Sequence, residues 1–243
     1  MALNARKIKS KGGNFVEQPL LAVDNYPARV AQIIDLGLQP GGEWKGEKKP
    51  PANKIYITYE LVDAFMLDKD GNEMEDKPLW KSEDMNLLSP DMDMAKCNKR
   101  YKAIDPEEVF DYDWGALIGQ PCNILTIHKE SKGKTYCNVG NVSPYIVSKR
   151  NPELPPLQNE GKMFTLDEPD MEVFGALPEW LQERIKSNLE FKGSPLDIAL
   201  NGKPEGGKSE PKADEPEPKD KKYLPPTTGT NYTQDSGDTD EPW

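Results

Sequence analysis

Five segments rich in β-branched and aromatic residues, interrupted once by a more polar stretch, constrain the fold of this chain most strongly. The segments are 26–37, 54–62, 78–87, 121–128 and 135–142. Asp70-Gly71 follows the second segment and Lys132-Gly133-Lys134 separates the last two, so each position predicts a hairpin turn. The interruption, between residues 91 and 117, is typical of one or two helices. The pattern therefore predicts three strands, a helical insert and two more strands.

This order of elements is that of an OB-fold, a five-stranded barrel in which we expect the insert to cap one end. In that fold the connections between strands one and two, and between strands four and five, flank the binding face. The first connection carries Trp44, Lys45, Lys48 and Lys49, and the second carries Lys129, Lys132 and Lys134. The alternative is a generic small β-barrel with lysines in its turns.

Composition divides the 243 residues into four regions. Residues 1–20 are a basic arm, 21–150 the OB-fold domain, 151–200 a linker with one helix, and 201–243 a low-complexity acidic tail. Hydrophobic residues make up 35% of the chain and the mean hydropathy is −0.79, both low for a wholly globular chain. We therefore expect a mainly β fold followed by a disordered tail.

Within residues 151–200 the sequence predicts a helix that begins at Pro178, because proline suits the first helical turn. Its apolar stripe consists of Trp180, Leu181, Ile185 and Leu189, and Gly193 can end it. We expect this C-terminal helix to pack on the barrel. The alternatives are self-association into a homo-oligomer and docking of a partner.

Charge and cysteine content bear on the ligand and the compartment. The net charge is −11, but the acidic excess lies after residue 151 and the preceding part is close to neutral. A basic groove is therefore compatible with the overall acidity. Cys97, Cys122 and Cys137 are odd in number and widely spaced, which favours reduced thiols and a cytoplasmic location. We expect neither a membrane span nor a secretory signal.

The last ten residues form an acidic segment with one aromatic residue at its end, and no Lys or Arg occurs after Lys222. Its candidate partner-binding residues are Asp235, Asp238, Asp240, Glu241, Pro242 and Trp243. Such a segment can occupy a basic groove when the groove is empty, and it can bind a partner that offers a basic rim and an apolar pocket. Both roles indicate a protein whose main ligand is a polyanion. The alternative is a tail that only improves solubility.

Four short motifs resemble the single-stranded DNA-binding proteins of tailed phages, over roughly residues 24–147. They are YPAR at 26–29, GEKKPP at 46–51, LIGQPC at 117–122, and GKTYCNV at 133–139 leading to Val142-Ser143-Pro144; LPEWLQERI at 177–185 is a weaker match. The resemblance implies an OB-fold that coats single strands during phage replication and recombination in the host cytoplasm. It also implies an acidic tail that recruits replication or recombination proteins. The family usually ends in Phe, where this chain ends in Trp243.

Binding of single strands without sequence preference needs aromatic rings under the bases and cations along the phosphates. The aromatic candidates are Trp44, Tyr56, Trp80, Tyr101 and Tyr136. Tyr59 shares a strand face with Ile55 and Ile57, so we expect Tyr59 in the core and Tyr56 on the surface. For Trp44, Trp80 and Tyr136 the alternative is ordinary core packing.

The cationic candidates for phosphate contacts are Lys45, Lys48, Lys49, Lys54, Lys81, Lys99, Arg100, Lys102, Lys129 and Lys134. Cations are densest between residues 96 and 102, where Lys96, Lys99, Arg100 and Lys102 surround Tyr101. This cluster suits a surface that follows phosphates. Its alternative is the solvated face of a helix.

Catalytic and metal sites find little support in the sequence. His128 is the only histidine and has no Cys-x-x-Cys beside it, and residues 68–72 fit a hairpin turn better than a calcium loop. Asp111 and Asp113 leave a metal-dependent nuclease as a remote alternative. There is no P-loop, dinucleotide-binding or nucleophile-elbow motif. We therefore expect a protein without catalytic residues, metal or cofactor; the main alternative is an interaction or inhibitor protein that acts through the tail and the Pro178 helix.

Overall fold

The structure, a computed structural model, describes residues 18–202, and of Trp44 it describes the backbone only. The strands are β1 (Asn25–Gln39), β2 (Glu43–Trp44), β3 (Glu47–Lys48), β4 (Ala52–Leu67), β5 (Glu73–Asn86), β6 (Pro121–Ser131), β7 (Lys134–Pro144) and β8 (Lys162–Phe164). The helices are α1 (Lys96–Ile104), α2 (Met171–Ala176), α3 (Glu179–Lys186) and α4 (Pro195–Asn201). The five strands and the helical insert predicted from the sequence are confirmed, as β1, β4, β5, β6, β7 and α1.

The five long strands form an antiparallel sheet in the order β5-β4-β1-β6-β7. The two outer strands approach each other, and Lys81 Nζ on β5 donates a hydrogen bond to the Cys137 carbonyl oxygen on β7 at 3.4 Å. Register shifts after Val30 and after Asp35 mark bulges in β1, and bulges bend a strand and increase its twist. The result is a nearly closed five-stranded barrel with few helices, consistent with an OB-like fold.

The connection between β4 and β5 is the hairpin turn predicted at Asp70-Gly71. Asp68 Oδ1 accepts hydrogen bonds from the backbone N–H groups of Asp70 and Asn72, at 2.8 and 2.9 Å. The hydrogen bonds from Asn72 lower the pKa of the Asp68 carboxyl. Gly71 has a φ of +84°, a backbone conformation that glycine adopts without strain.

The barrel interior is filled by alternate residues of the strands, such as Val30, Ile57, Leu61 and Ile124, each 0% exposed. The predicted insert closes one end of this core, because α1 buries Cys97, Tyr101 and Ile104 against it. A single 3-10 turn at Gly115–Leu117 follows and buries Leu117.

Residues 154–201 form a second layer on the outside of β1. Arg29 on β1 holds the start of this layer by donating hydrogen bonds to the carbonyl oxygens of Leu154 and Pro155, both at 2.6 Å. β8 then pairs in parallel with residues 32–34 of β1. The second apolar cluster consists of Ile34, Leu36, Phe164, Phe174, Leu177, Leu181, Ile185 and Leu196. The segment predicted as a linker with one helix therefore has its own apolar core against the barrel.

The helix predicted from Pro178 is present as α3, but it ends at Lys186, and two further short helices flank it. Its predicted apolar stripe is only half buried: Leu181 and Ile185 are in the core, while Trp180 and Leu189 are 50% and 55% exposed. Among residues 18–202 no helix is long and apolar enough to cross a membrane.

Candidate nucleic-acid interface

The outer face of β4 and β5 carries a ladder of cross-strand pairs. Alternate residues of β4 point into the barrel, so the residues between them point outward. The outward pairs are Lys54 with Asn86, Tyr56 with Asp84, Thr58 with Ser82 and Glu60 with Trp80. Tyr59 is 0% exposed, as expected, and Tyr56 lies on the outer face, half-buried.

The exposed indole of Trp80 is hydrogen-bonded along one edge to a buried carboxylate. The Trp80 side chain is 39% exposed, and its Nε1–H donates to Glu60 Oε2 at 3.2 Å. Glu60 is only 4% exposed and also accepts the backbone N–H groups of Gln158 and Asn159, at 2.7 and 3.3 Å. The Asn159 side chain adds a fourth hydrogen bond at 2.6 Å. Glu60 therefore ties both Trp80 and the residue 158–159 backbone to β4.

Trp80 is on β5 and Tyr136 is on β7, the two strands that approach each other at the seam of the barrel. The contact of Lys81 with the Cys137 carbonyl joins the strands at that level, and Trp80 and Tyr136 each precede one of those two residues. Trp80 points outward and Tyr136 is 40% exposed, so both rings are accessible on the outside of the seam. Lys129 is the direct cross-strand partner of Tyr136, and Lys134 is exposed at the hairpin end.

The opposite end of the ladder is covered by α3. The rings of Tyr56 and Trp180 meet edge to face, with centroids 5.6 Å apart and planes inclined at 74°. This burial raises the pKa of the Tyr56 hydroxyl. Arg184 Nη2 donates to Asp84 Oδ2 at 2.5 Å, and Lys54 Nζ lies 3.7 Å from the same oxygen. Tyr56 thus packs between the barrel and α3. The sequence predicted an accessible ring at this position, but the structure shows it half-buried.

We call this region the aromatic track: Lys54 and Tyr56 of β4, Trp80, Ser82 and Asp84 of β5, Trp180 and Arg184 of α3, and Lys129, Lys134 and Tyr136 of the β6–β7 hairpin. Thr58 and Glu60 of β4 belong to the same strand face but are buried, at 2% and 4% exposed. Tyr56 and Glu60 are four positions apart on β4, so their Cα atoms lie about 13 Å apart. The β2–β3 hairpin, with exposed Lys45 and Lys48, lies at the end of β4 that carries Lys54, and Lys49 follows β3 directly. The β6–β7 hairpin lies at the other end.

The structure contradicts the prediction that Arg100 and Tyr101 on α1 form part of a phosphate-binding surface. Arg100 is 5% exposed and Tyr101 0%, so neither offers surface to a base or a phosphate. Arg100 Nε donates to Glu83 Oε1 at 2.8 Å and its Nη1 to Asn141 Oδ1 at 2.9 Å, while the Tyr101 ring stacks on Tyr112 with centroids 4.6 Å apart. Both side chains hold the helix to the barrel.

Two other predicted lysines already have acidic or carbonyl partners. Lys102 Nζ donates to Asp93 Oδ1 at 2.7 Å, and this hydrogen bond raises the pKa of the Lys102 ammonium. Lys81 contributes to the β5–β7 seam through Cys137. Lys99 is exposed on α1, a helix that contributes no residue to the aromatic track.

The contacts of Trp180 with Tyr56 and of Arg184 with Asp84 were not predicted, because the sequence shows the stripe of α3 but not which strands it meets. The side chain of Trp44 and the tail residues Asp235, Asp238, Asp240, Glu241, Pro242 and Trp243 lie outside the described residues. Among the residues that are described, no group of three or more His, Cys, Asp or Glu side chains is placed to hold a metal ion. No family model matches this chain, and no match is found among curated proteins.

Proposed function

We propose that this protein binds single-stranded DNA without catalysing a reaction, and that its barrel is an OB-fold whose binding face is the aromatic track. The observation that carries the proposal is the pair of exposed rings, Trp80 and Tyr136, on the two sides of the β5–β7 seam. Lys129 and Lys134 beside them supply positive charge. Rings flanked by cations suit unpaired bases and their phosphates.

Single strands suit this face better than a duplex because their bases are accessible. Stacking needs the flat face of a base, which a duplex keeps covered by its neighbours, and it contributes about 1–3 kcal/mol per base. Tyr56, Trp80 and Tyr136 are on strands, which hold their rings in position before the ligand binds. Every base has such a face, so this mode of binding is tolerant of sequence.

The tail completes the proposed function. Its carboxylates would lie over the track when DNA is absent, and DNA would displace them and leave the terminal Trp243 and its neighbours to recruit replication or recombination proteins. The support is the sequence pattern and the resemblance to tailed-phage proteins, since these residues lie outside the described part of the chain. Removal of residues 223–243 is expected to raise the affinity for DNA; unchanged affinity would contradict the competition.

The experiment is a fluorescence anisotropy titration of labelled oligo-dT with the full chain, at low and moderate salt, with an unlabelled duplex as competitor. We expect saturable binding that weakens as salt rises, because bound cations release counterions from the DNA, and poor competition by duplex. Absence of binding, with or without residues 223–243, would reject the proposed function. It would leave an interaction protein that acts through its tail and C-terminal helices.

A further inference from the structure

The part of the chain that the structure describes begins at Gln18, which is hydrogen-bonded to the last residue of β4. Gln18 Nε2 donates to the Leu67 carbonyl oxygen at 3.0 Å, and Gln18 Oε1 accepts the Leu67 N–H at 2.7 Å. Farther along, Thr126 Oγ1 donates to the Ala22 carbonyl oxygen at 2.7 Å. These bonds to β4 and β6 fix the point at which the N-terminal arm leaves the barrel.

An acidic hairpin lies at that point. Leu67 is the direct partner of Glu73 across the β4–β5 hairpin, so Gln18 is held next to the start of β5. The charged residues of this hairpin are Asp68, Lys69, Asp70, Glu73, Glu75, Asp76 and Lys77, and the acidic ones outnumber the basic ones. Asp68 accepts hydrogen bonds within the turn, whereas Glu73, Glu75 and Asp76 are exposed.

The outer edge of the hairpin has no strand beside it within residues 18–202. β5 is the last strand in the order of the sheet and pairs with β4 alone. The link from β5 to β7 through Lys81 begins only after the acidic residues. The hairpin is therefore an unpartnered sheet edge with exposed carboxylates.

The residues that precede Gln18 have the opposite charge. Arg6, Lys7, Lys9 and Lys11 form a basic run, and no acidic residue precedes Glu17. Lys11 comes seven residues before Gln18, a separation that spans up to about 24 Å of extended chain. Asp76 comes three residues after Glu73, about 10 Å along the strand. The basic run can therefore reach the carboxylates of the hairpin.

The charge of this hairpin affects the aromatic track because Trp80 follows on the same strand, four residues after Asp76. Carboxylates about 13 Å away repel a phosphate at low salt, where screening is weak. The β6–β7 hairpin, at the same end of the barrel, carries Lys129, Glu130, Lys132 and Lys134. The two hairpins thus have opposite net charge, and the acidic one opposes the approach of DNA to Trp80.

We propose that the basic run of the N-terminal arm binds the exposed carboxylates of the β4–β5 hairpin in the same chain and offsets their charge beside the aromatic track. The occupant follows from charge complementarity and from the attachment of Gln18 to Leu67, which gives the arm a high effective concentration at the hairpin. The effect on DNA rests on the proposed function, whereas the contact between arm and hairpin does not.

The contact is tested by carbodiimide crosslinking of the full chain without DNA, followed by mass-spectrometric mapping. This reagent joins a lysine amine to a carboxylate that lies beside it. We expect links within one chain from Lys7, Lys9 or Lys11 to Glu73, Glu75 or Asp76. The internal control is the link between Lys102 and Asp93, whose charged atoms are 2.7 Å apart.

The effect on DNA is tested by oligo-dT titrations at low salt with three full-length variants. The arm variant combines Arg6→Gln, Lys7→Gln, Lys9→Gln and Lys11→Gln. The hairpin variant combines Glu73→Gln, Glu75→Gln and Asp76→Asn, and the third variant has all seven changes. We expect at least about threefold weaker binding by the arm variant, and binding within about twofold of the unaltered chain by the combined variant. Thermal unfolding confirms that each variant folds.

The outcomes separate the contact, its effect and the proposed function. Arm links only to the tail or to other carboxylates, or none while Lys102 links to Asp93, would overturn the contact. Equal losses from the arm changes with and without the hairpin changes would show that the arm acts on DNA directly, and would overturn the effect. Absence of DNA binding by the unaltered chain would reject the proposed function, and the crosslinks would still decide the contact.

Discussion

Trp80 donates its indole N–H to Glu60, the residue directly opposite it on the neighbouring strand, at 3.2 Å. Glu60 also accepts the backbone N–H groups of Gln158 and Asn159, so it connects an exposed ring to the C-terminal layer. One buried carboxylate thus holds both Trp80, in the proposed binding face, and the layer that covers β1. Its loss should affect stability as well as DNA binding.

Glu60→Gln is expected to lower the free energy of unfolding by about 1–3 kcal/mol, because the new amide group brings donors to a site that already receives four hydrogen bonds. Denaturant unfolding measures this change. Glu130→Gln is the matched control, since Glu130 is exposed on β6 and its substitution should change stability by less than about 0.5 kcal/mol. Equal midpoints for the two variants would contradict the role given to Glu60.

Arg100→Met is expected to lower the free energy of unfolding by about 3 kcal/mol or more, because it leaves the buried Glu83 carboxylate without its closest cationic partner. Lys96, at 2.9 Å from Glu83, is largely exposed and compensates only in part. The neighbouring variant Lys99→Met changes an exposed side chain and should have little effect on stability. If both variants unfolded at the same denaturant concentration, Arg100 would not hold α1 to the barrel.

Tyr136→Leu is expected to weaken oligo-dT binding by about fivefold to a hundredfold, the loss of one stacked base. Tyr101→Phe should leave the affinity within about twofold, because Tyr101 is wholly buried between α1 and its neighbours. Anisotropy titrations of both variants, with circular dichroism to confirm folding, make the comparison. A larger loss with Tyr101→Phe than with Tyr136→Leu would show that the DNA binds elsewhere.

Lys134→Gln is expected to reduce the magnitude of the salt slope by about 0.7, the value for one phosphate contact on a single strand. Lys102→Gln should leave the slope unchanged, since Asp93 and Glu108 lie 2.7 and 3.7 Å from the Lys102 ammonium. Titrations at four or more salt concentrations give the slopes. A reduced slope in Lys102→Gln alone would move the phosphate path to α1.

Strand periodicity was sufficient to predict the barrel and part of its surface. Alternation along β4 placed Tyr59 in the core, which the structure confirms, because neighbours two apart on a strand share a face. It also placed Tyr56 outside. It could not show that Trp180, far along the chain, covers Tyr56, since contacts between distant segments leave no periodic pattern in a single sequence.

The prediction of a phosphate-binding cluster on α1 was wrong for Arg100 and Tyr101 for a related reason. A helix with four cations and a tyrosine is compatible with a solvated face, but which side meets the barrel depends on how the helix is docked. Arg100 turns inward because Glu83 on β5 offers a buried carboxylate, a pairing that only the fold reveals. The short helices α2 and α4 do carry local signals, the capping side chains Asp170 and Ser194, but these are weaker than the apolar stripe of α3.

The most direct test of the account is photo-crosslinking of the full chain to an iododeoxyuridine-substituted oligo-dT, followed by mass-spectrometric mapping of the linked residues. If the track binds DNA, we expect crosslinks at Trp80 and Tyr136, on the exposed side of the β5–β7 seam, and none between residues 96 and 104 of α1. Crosslinks confined to α1, or none in the aromatic track under conditions where the DNA is bound, would contradict it.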